Sequence, residues 1–216
     1  MTLLTFALTF VLAGVPAPVS AAVTQYDAAV AEFQAKRKGA SIQRVLEAAV
    51  AARNAVDAGL VRDLDDAALE ELRAAMPAIE ISRDARTALR KDVLVSLAER
   101  HGSTADADFA AAWIAAHPAG EEECTRFAEL PARYRGWFAF SRKHKSAYRA
   151  QVIEEIERTE RLITTATCAC DDAASVRTAL ADIARDFPLG KITQRVRQRI
   201  QDLDRGTSDL RFDCSN

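Results

Sequence analysis

Apolar residues recur at three- and four-residue intervals along almost the whole of this 216-residue chain. That spacing commits it to amphipathic helices rather than strands. Ile42, Val45, Leu46, Ala49 and Val56 form one such stripe, and Ala85, Leu89, Val93 and Leu97 form another. No segment alternates convincingly with a period of two. Gly and Pro are few, eight and six, and they fall between the periodic segments, where they mark helix ends.

The first helix is expected to open at Thr24, with Asp27 as its capping partner. It carries Tyr26, Val30 and Phe33, and ends in Lys36-Arg37-Lys38-Gly39, where basic residues suit the helix dipole. Further helices are expected from Ser41 to Gly59, Asp65 to Met76, Ser82 to His101, and after Ser103-Thr104 to His117-Pro118. A short helix with Glu121-Glu122-Glu123 near its start stops before Pro131, and the longest runs from about Ser141 to Thr165. Asp171 or Asp172 caps the next, up to Phe187. The last runs from about Leu189 to Arg205 and is ended by Gly206. The expected fold is all-α, an irregular bundle or array of about eight or nine amphipathic helices.

Residues 1–21 read as a cleaved signal peptide. Leu3 to Val15 is an apolar run, Pro16 and Pro18 end it, and Val19-Ser20-Ala21 offers small residues where a signal peptidase cuts. The run is too short for a transmembrane anchor, and no stop-transfer segment follows. No Lys or Arg precedes it, so Met1 alone supplies the amino-terminal charge. Leu12-Ala13-Gly14-Val15 resembles a lipoprotein processing box with Val15 in place of the essential cysteine, which excludes a lipid anchor at the mature N-terminus. The expected product is a periplasmic or secreted protein. Its Ala- and Arg-rich usage suits a GC-rich bacterial genome.

An oxidising compartment makes the four cysteines, Cys124, Cys168, Cys170 and Cys214, candidates for disulfides. A Cys168–Cys170 ring would be strained, so each of the two is expected to take a different partner. Cys124–Cys168 with Cys170–Cys214 is the favoured arrangement, and the crossed one is the alternative. Either makes Cys-Ala-Cys a hub that ties the segment around Cys124 to an otherwise polar tail. A redox-active Cys-x-Cys pair is the sharper reading, although Asp171 and Asp172 oppose the low thiol pKa it needs. The cysteines all follow His117-Pro118-Ala119-Gly120, the best boundary between an N-terminal helical half (22–117) and a disulfide-bonded C-terminal half (118–216). The sequence does not separate two domains there from one continuous layer of helices.

A formal net charge of −2 argues against general affinity for nucleic acid or anionic lipid. The distribution is less even. Between Glu129 and Glu154 no acidic residue occurs, while Arg133, Arg135, Arg142, Lys143, Lys145 and Arg149 stand among Tyr134, Trp137, Phe138, Phe140 and Tyr148. On one continuous helix, cations ahead of Glu154, Glu155, Glu157 and Glu160 run against the dipole. Arg135, Trp137, Arg142, Lys143 and Lys145 are therefore the candidate residues for binding a protein partner in the cell envelope. The plainer reading buries the aromatics and leaves the cations in solvent.

No catalytic, cofactor-binding or metal-ligating constellation emerges. The motifs G-x-S-x-G and H-E-x-x-H, a phosphate loop and a dinucleotide fingerprint are missing, and His101, His117 and His144 are not spaced as helical ligands. The sequence thus points to a binding, adaptor or assembly module. The alternative is an enzyme, either a thiol–disulfide oxidoreductase or a cell-wall hydrolase with Glu99 or Glu129 in a cleft.

Overall fold

Helix accounts for 71% of the structure, as the periodicity requires. The computed structural model describes residues 15–37, 39–58, 64–82, 87–118 and 124–212. Residues 1–14 of the expected signal peptide, Lys38, Gly59, Ala85, Ala119-Gly120, Glu121–Glu123 and Cys214 lie outside the described residues. Among those described are nine α-helices, one 3-10 turn and one pair of two-residue strands. Contacts divide the chain into two compact units, Met1–Ile114 and Ala115–Asn216.

The first unit begins with α1 (Ala17–Gln34) and α2 (Ile42–Ala58), which pack against each other. Val19, Val23, Tyr26 and Phe33 of α1 are buried, as are Ile42, Val45, Leu46, Ala49 and Val56 of α2. Helix α1 starts seven residues before Thr24, at Ala17. Pro16 and Pro18 stand at its opening, where a first-turn proline forfeits no intrahelical hydrogen bond. Thr24 lies mid-helix, where its hydroxyl donates to the Ser20 carbonyl 3.0 Å away instead of capping.

Helix α3 (Asp66–Ala75) is capped by Asp65, as expected, through a 2.8 Å bond from the Ala68 N–H. The expected helix from Ser82 begins only at Lys91, as α4 (Lys91–His101). Before it, β1 (Ile79–Glu80) and β2 (Ala88–Leu89) pair antiparallel, with Ile79 opposite Leu89. Ile79 and Ile81 are buried on either side of exposed Glu80, a period of two confined to three residues and so invisible to a helical count. Helix α5 (Thr104–Ala116) opens with a reciprocal cap: the Asp106 carboxylate accepts from the Ser103 N–H at 2.6 Å, and the Ser103 hydroxyl from the Asp106 N–H at 3.3 Å.

The second unit holds the 3-10 turn Phe127–Glu129 and four helices, α6 (Leu130–Lys143), α7 (Arg149–Thr165), α8 (Ala173–Asp186) and α9 (Thr193–Arg205). Pro131 does not end a helix; it occupies the first turn of α6. The single helix expected from Ser141 to Thr165 is instead broken between α6 and α7. Phe127, Leu130, Tyr134, Ile163, Leu180, Ile183 and Val196 form one core shared by all four helices. Arg199 of α9 closes the end of α7 by donating to the Ile163 and Ala166 carbonyls, at 3.0 and 2.6 Å. Gly206, at φ +69°, supplies the left-handed residue that ends α9.

Asp172 caps α8 by accepting the Ser175 N–H at 2.7 Å, and that bond holds its carboxyl below the usual carboxylate range. The folded value lies below the unfolded one, so this contribution is present above about pH 4 and is lost as pH falls through the lowered folded value. Acid titration followed by circular dichroism should therefore show a smaller loss of stability below pH 4 in Asp172→Asn than in the wild type. Identical profiles would remove Asp172 from the acid response.

Candidate functional site

Two features of the second unit concentrate chemistry, and the first is the cysteine hub. Residues 167–170 run extended between two other segments. The Thr125 N–H donates to the Cys168 carbonyl and the Cys170 N–H to the Thr125 carbonyl, both at 3.0 Å. On the other edge, the Ala169 N–H donates to Arg211 at 2.8 Å and the Arg211 N–H to Thr167 at 2.9 Å. The result is two isolated parallel bridges that share Cys-Ala-Cys as their centre. Ala169 is buried, while Cys168 and Cys170 on either side of it are partly exposed, which is the two-residue alternation of a strand.

Cys124 bonds Cys170, with their Cα atoms 5.2 Å apart. This is the crossed arrangement, and it corrects the favoured Cys124–Cys168 pairing. Two residues of separation give loop entropy no means of choosing between the two pairings. Cys168 is disulfide-bonded as well. No free cysteine occurs among the described residues. The tail is also less polar in effect than its composition: Leu210 is buried in the core of the unit.

The second feature is the turn between α6 and α7. Arg142 and Lys143 fall in the last turn of α6, where the helix dipole favours cations. The break at residues 144–148 thus resolves the electrostatic conflict that a continuous helix would suffer. The aromatics lie underneath. Trp137 is 1% exposed and cannot contact a partner, which corrects its place among the candidate binding residues. Tyr134, also buried, donates to Glu160 at 2.7 Å and packs edge-on against Phe138 and Phe187. Phe140 meets Trp137, His144 and Tyr148 at ring distances of 6.2, 4.8 and 6.4 Å. Tyr148 opens α7 at φ +54°, a left-handed conformation that costs a residue with a side chain roughly 1 kcal/mol.

Arg142, Lys143, Lys145 and Arg149 are exposed on this turn. Arg135 is exposed too, but it is ion-paired with Asp186 of α8, whose carboxyl the guanidinium holds below the ordinary range. Of the candidate carboxylates, Glu99 is exposed, and Glu129, 44% exposed, faces Arg126 at 3.7 Å and Arg133 at 4.0 Å. Neither sits in an apolar pocket of the kind that raises a catalytic carboxyl.

One cluster was not anticipated. Glu155 is 8% exposed and lies 3.3 Å from His117 and 3.7 Å from Arg158. Arg158 also donates to the Ala116 carbonyl at 3.0 Å, so the group fastens the start of the second unit to α7. The signal was available in the sequence: Val152, Glu155, Thr159 and Ile163 follow one helical row, and all four are buried.

Compared with family models, curated proteins and solved structures, the chain matches none. No helix of the described residues is long and apolar enough to cross a membrane, and no cluster of three or more His, Cys, Asp or Glu residues there could hold a metal ion.

Proposed function

We propose that this chain is an exported helical module that binds an acidic surface of a protein partner in the bacterial envelope through the α6–α7 turn. One observation carries the reading: Arg142, Lys143 and Lys145 stand exposed together on a turn whose shape is fixed by aromatics beneath it. A cationic patch of defined shape, in a chain of net charge −2, gives orientation and partner choice more than bulk attraction. Export is supported by the leader-like composition of residues 1–21 and by a disulfide, which persists in oxidising compartments.

The test is the triple variant Arg142→Glu, Lys143→Glu, Lys145→Glu, crosslinked in its native envelope beside the wild type. The expected result is loss of a specific crosslinked species together with a urea midpoint unchanged to within about 0.5 kcal/mol, as befits surface substitutions. The same partners at the same yield would refute the binding face. Amino-terminal sequencing of the native protein should begin at Ala22, and retention of Met1 would refute export.

A further inference from the structure

We infer that the binding face extends from the α6–α7 turn back along α6 to an apolar platform of Phe138, Phe187 and Leu189. The partner then presents an amphipathic segment, in which an apolar side chain has carboxylates about one helical turn away. The platform rests on the proposed reading of the turn, to which it adds apolar burial as a source of affinity. Leu189 is 98% exposed, and among the described residues only it and Ile153 are large apolar side chains left exposed. A solitary exposed leucine is ordinary, but this one is not solitary. It follows exposed Pro188 and the partly exposed ring of Phe187, which lies 5.2 Å from the partly exposed ring of Phe138. The tip is also held in place. The Phe187 carbonyl accepts from the Gly190 N–H at 3.0 Å and from the Thr193 hydroxyl at 2.5 Å, and the Phe187 ring packs 4.5 Å from that of buried Tyr134. A side chain fixed in water in this way loses little freedom when a partner covers it.

The charges continue the platform towards the turn. Arg135, Ala139 and Arg142 are exposed at intervals of four and three residues, so one face of α6 is turned to solvent. Phe138 precedes Arg142 by four residues, which makes ring and guanidinium neighbours on that helix, and exposed Lys143 and Lys145 follow. An apolar centre edged by arginine has the anatomy of a protein–protein interface. The edge also carries Asp186, ion-paired with Arg135 and Arg185. A carboxylate there suits a protein surface of mixed charge and repels an anionic bilayer.

The test places the photocrosslinker p-benzoylphenylalanine at Leu189 in one full-length chain and at Ser146, exposed on the cationic turn, in another. Both are irradiated in the native envelope, and the adducts are sequenced. The two positions should capture one segment of the same protein, with Asp or Glu three or four residues from the apolar residue joined at position 189. Leu189→Ser should lower the crosslinking yield from position 146 about tenfold at limiting chain concentration, the effect of withdrawing one buried leucine. Its urea midpoint should stay at the wild-type value, because so exposed a side chain has no packing to lose. An adduct from position 146 without one from position 189, or a yield that Leu189→Ser leaves unchanged, overturns the platform and leaves the cationic turn standing. Position 189 joined to lipid, or to a second copy of this chain, also overturns it. No protein adduct from either position overturns the turn as well.

Discussion

Replacing Cys124 and Cys170 together with alanine should lower the stability of the second unit by about 4 kcal/mol, the chain-entropy value for a loop of this length. The bridge spans 46 residues and encloses α6 and α7. The two tryptophans make the effect readable, because Trp113 belongs to the first unit and Trp137 to the second. With Trp113 changed to Phe, the urea transition of Trp137 fluorescence should move to markedly lower denaturant. A loss below about 1 kcal/mol would mean that the parallel ladder holds Cys-Ala-Cys in place without the covalent link.

Trp137→Ala should cost about 3–5 kcal/mol, because it opens a void where one of the largest fully buried side chains sits. The comparison with the cationic turn is sharp. Charge reversal at Arg142, Lys143 and Lys145 should leave folding nearly untouched, although those residues lie only one to three turns further along the chain. Urea unfolding of the two variants side by side separates the base of the turn from its surface. Near-wild-type stability in Trp137→Ala would place that indole outside the packed interior.

Much of the architecture was legible in the residues. The stripes of α2, α8 and α9 are long and regular, and Asp65 at the start of α3, Asp172 at the start of α8 and Gly206 at the end of α9 act as their chemistry dictates. What escaped was short-range or cooperative. The strand pair is too brief to establish a period, and the break before Tyr148 needs a left-handed residue that helical spacing does not announce. The cysteine pairing could not be read because a two-residue offset leaves entropy indifferent. The candidate site was half visible: cations on the surface and aromatics below were both foreseen as possibilities, but spacing alone could not assign Trp137 to the interior. Glu155 stands beside Glu154 in the sequence, and only its place in the helical row with Val152, Thr159 and Ile163 marks it as inward.

Helix α1 passes without interruption through the Ala21–Ala22 bond, with Val19 packed inside the fold on the upstream side. A peptidase needs extended backbone, and a hydrogen-bonded helix denies it that access. On the proposed export reading, a cut between Ala21 and Ala22 would have to come before this helix winds up, which would set the order of clipping and collapse. On that reading, a chain that folded first would keep residues 1–21.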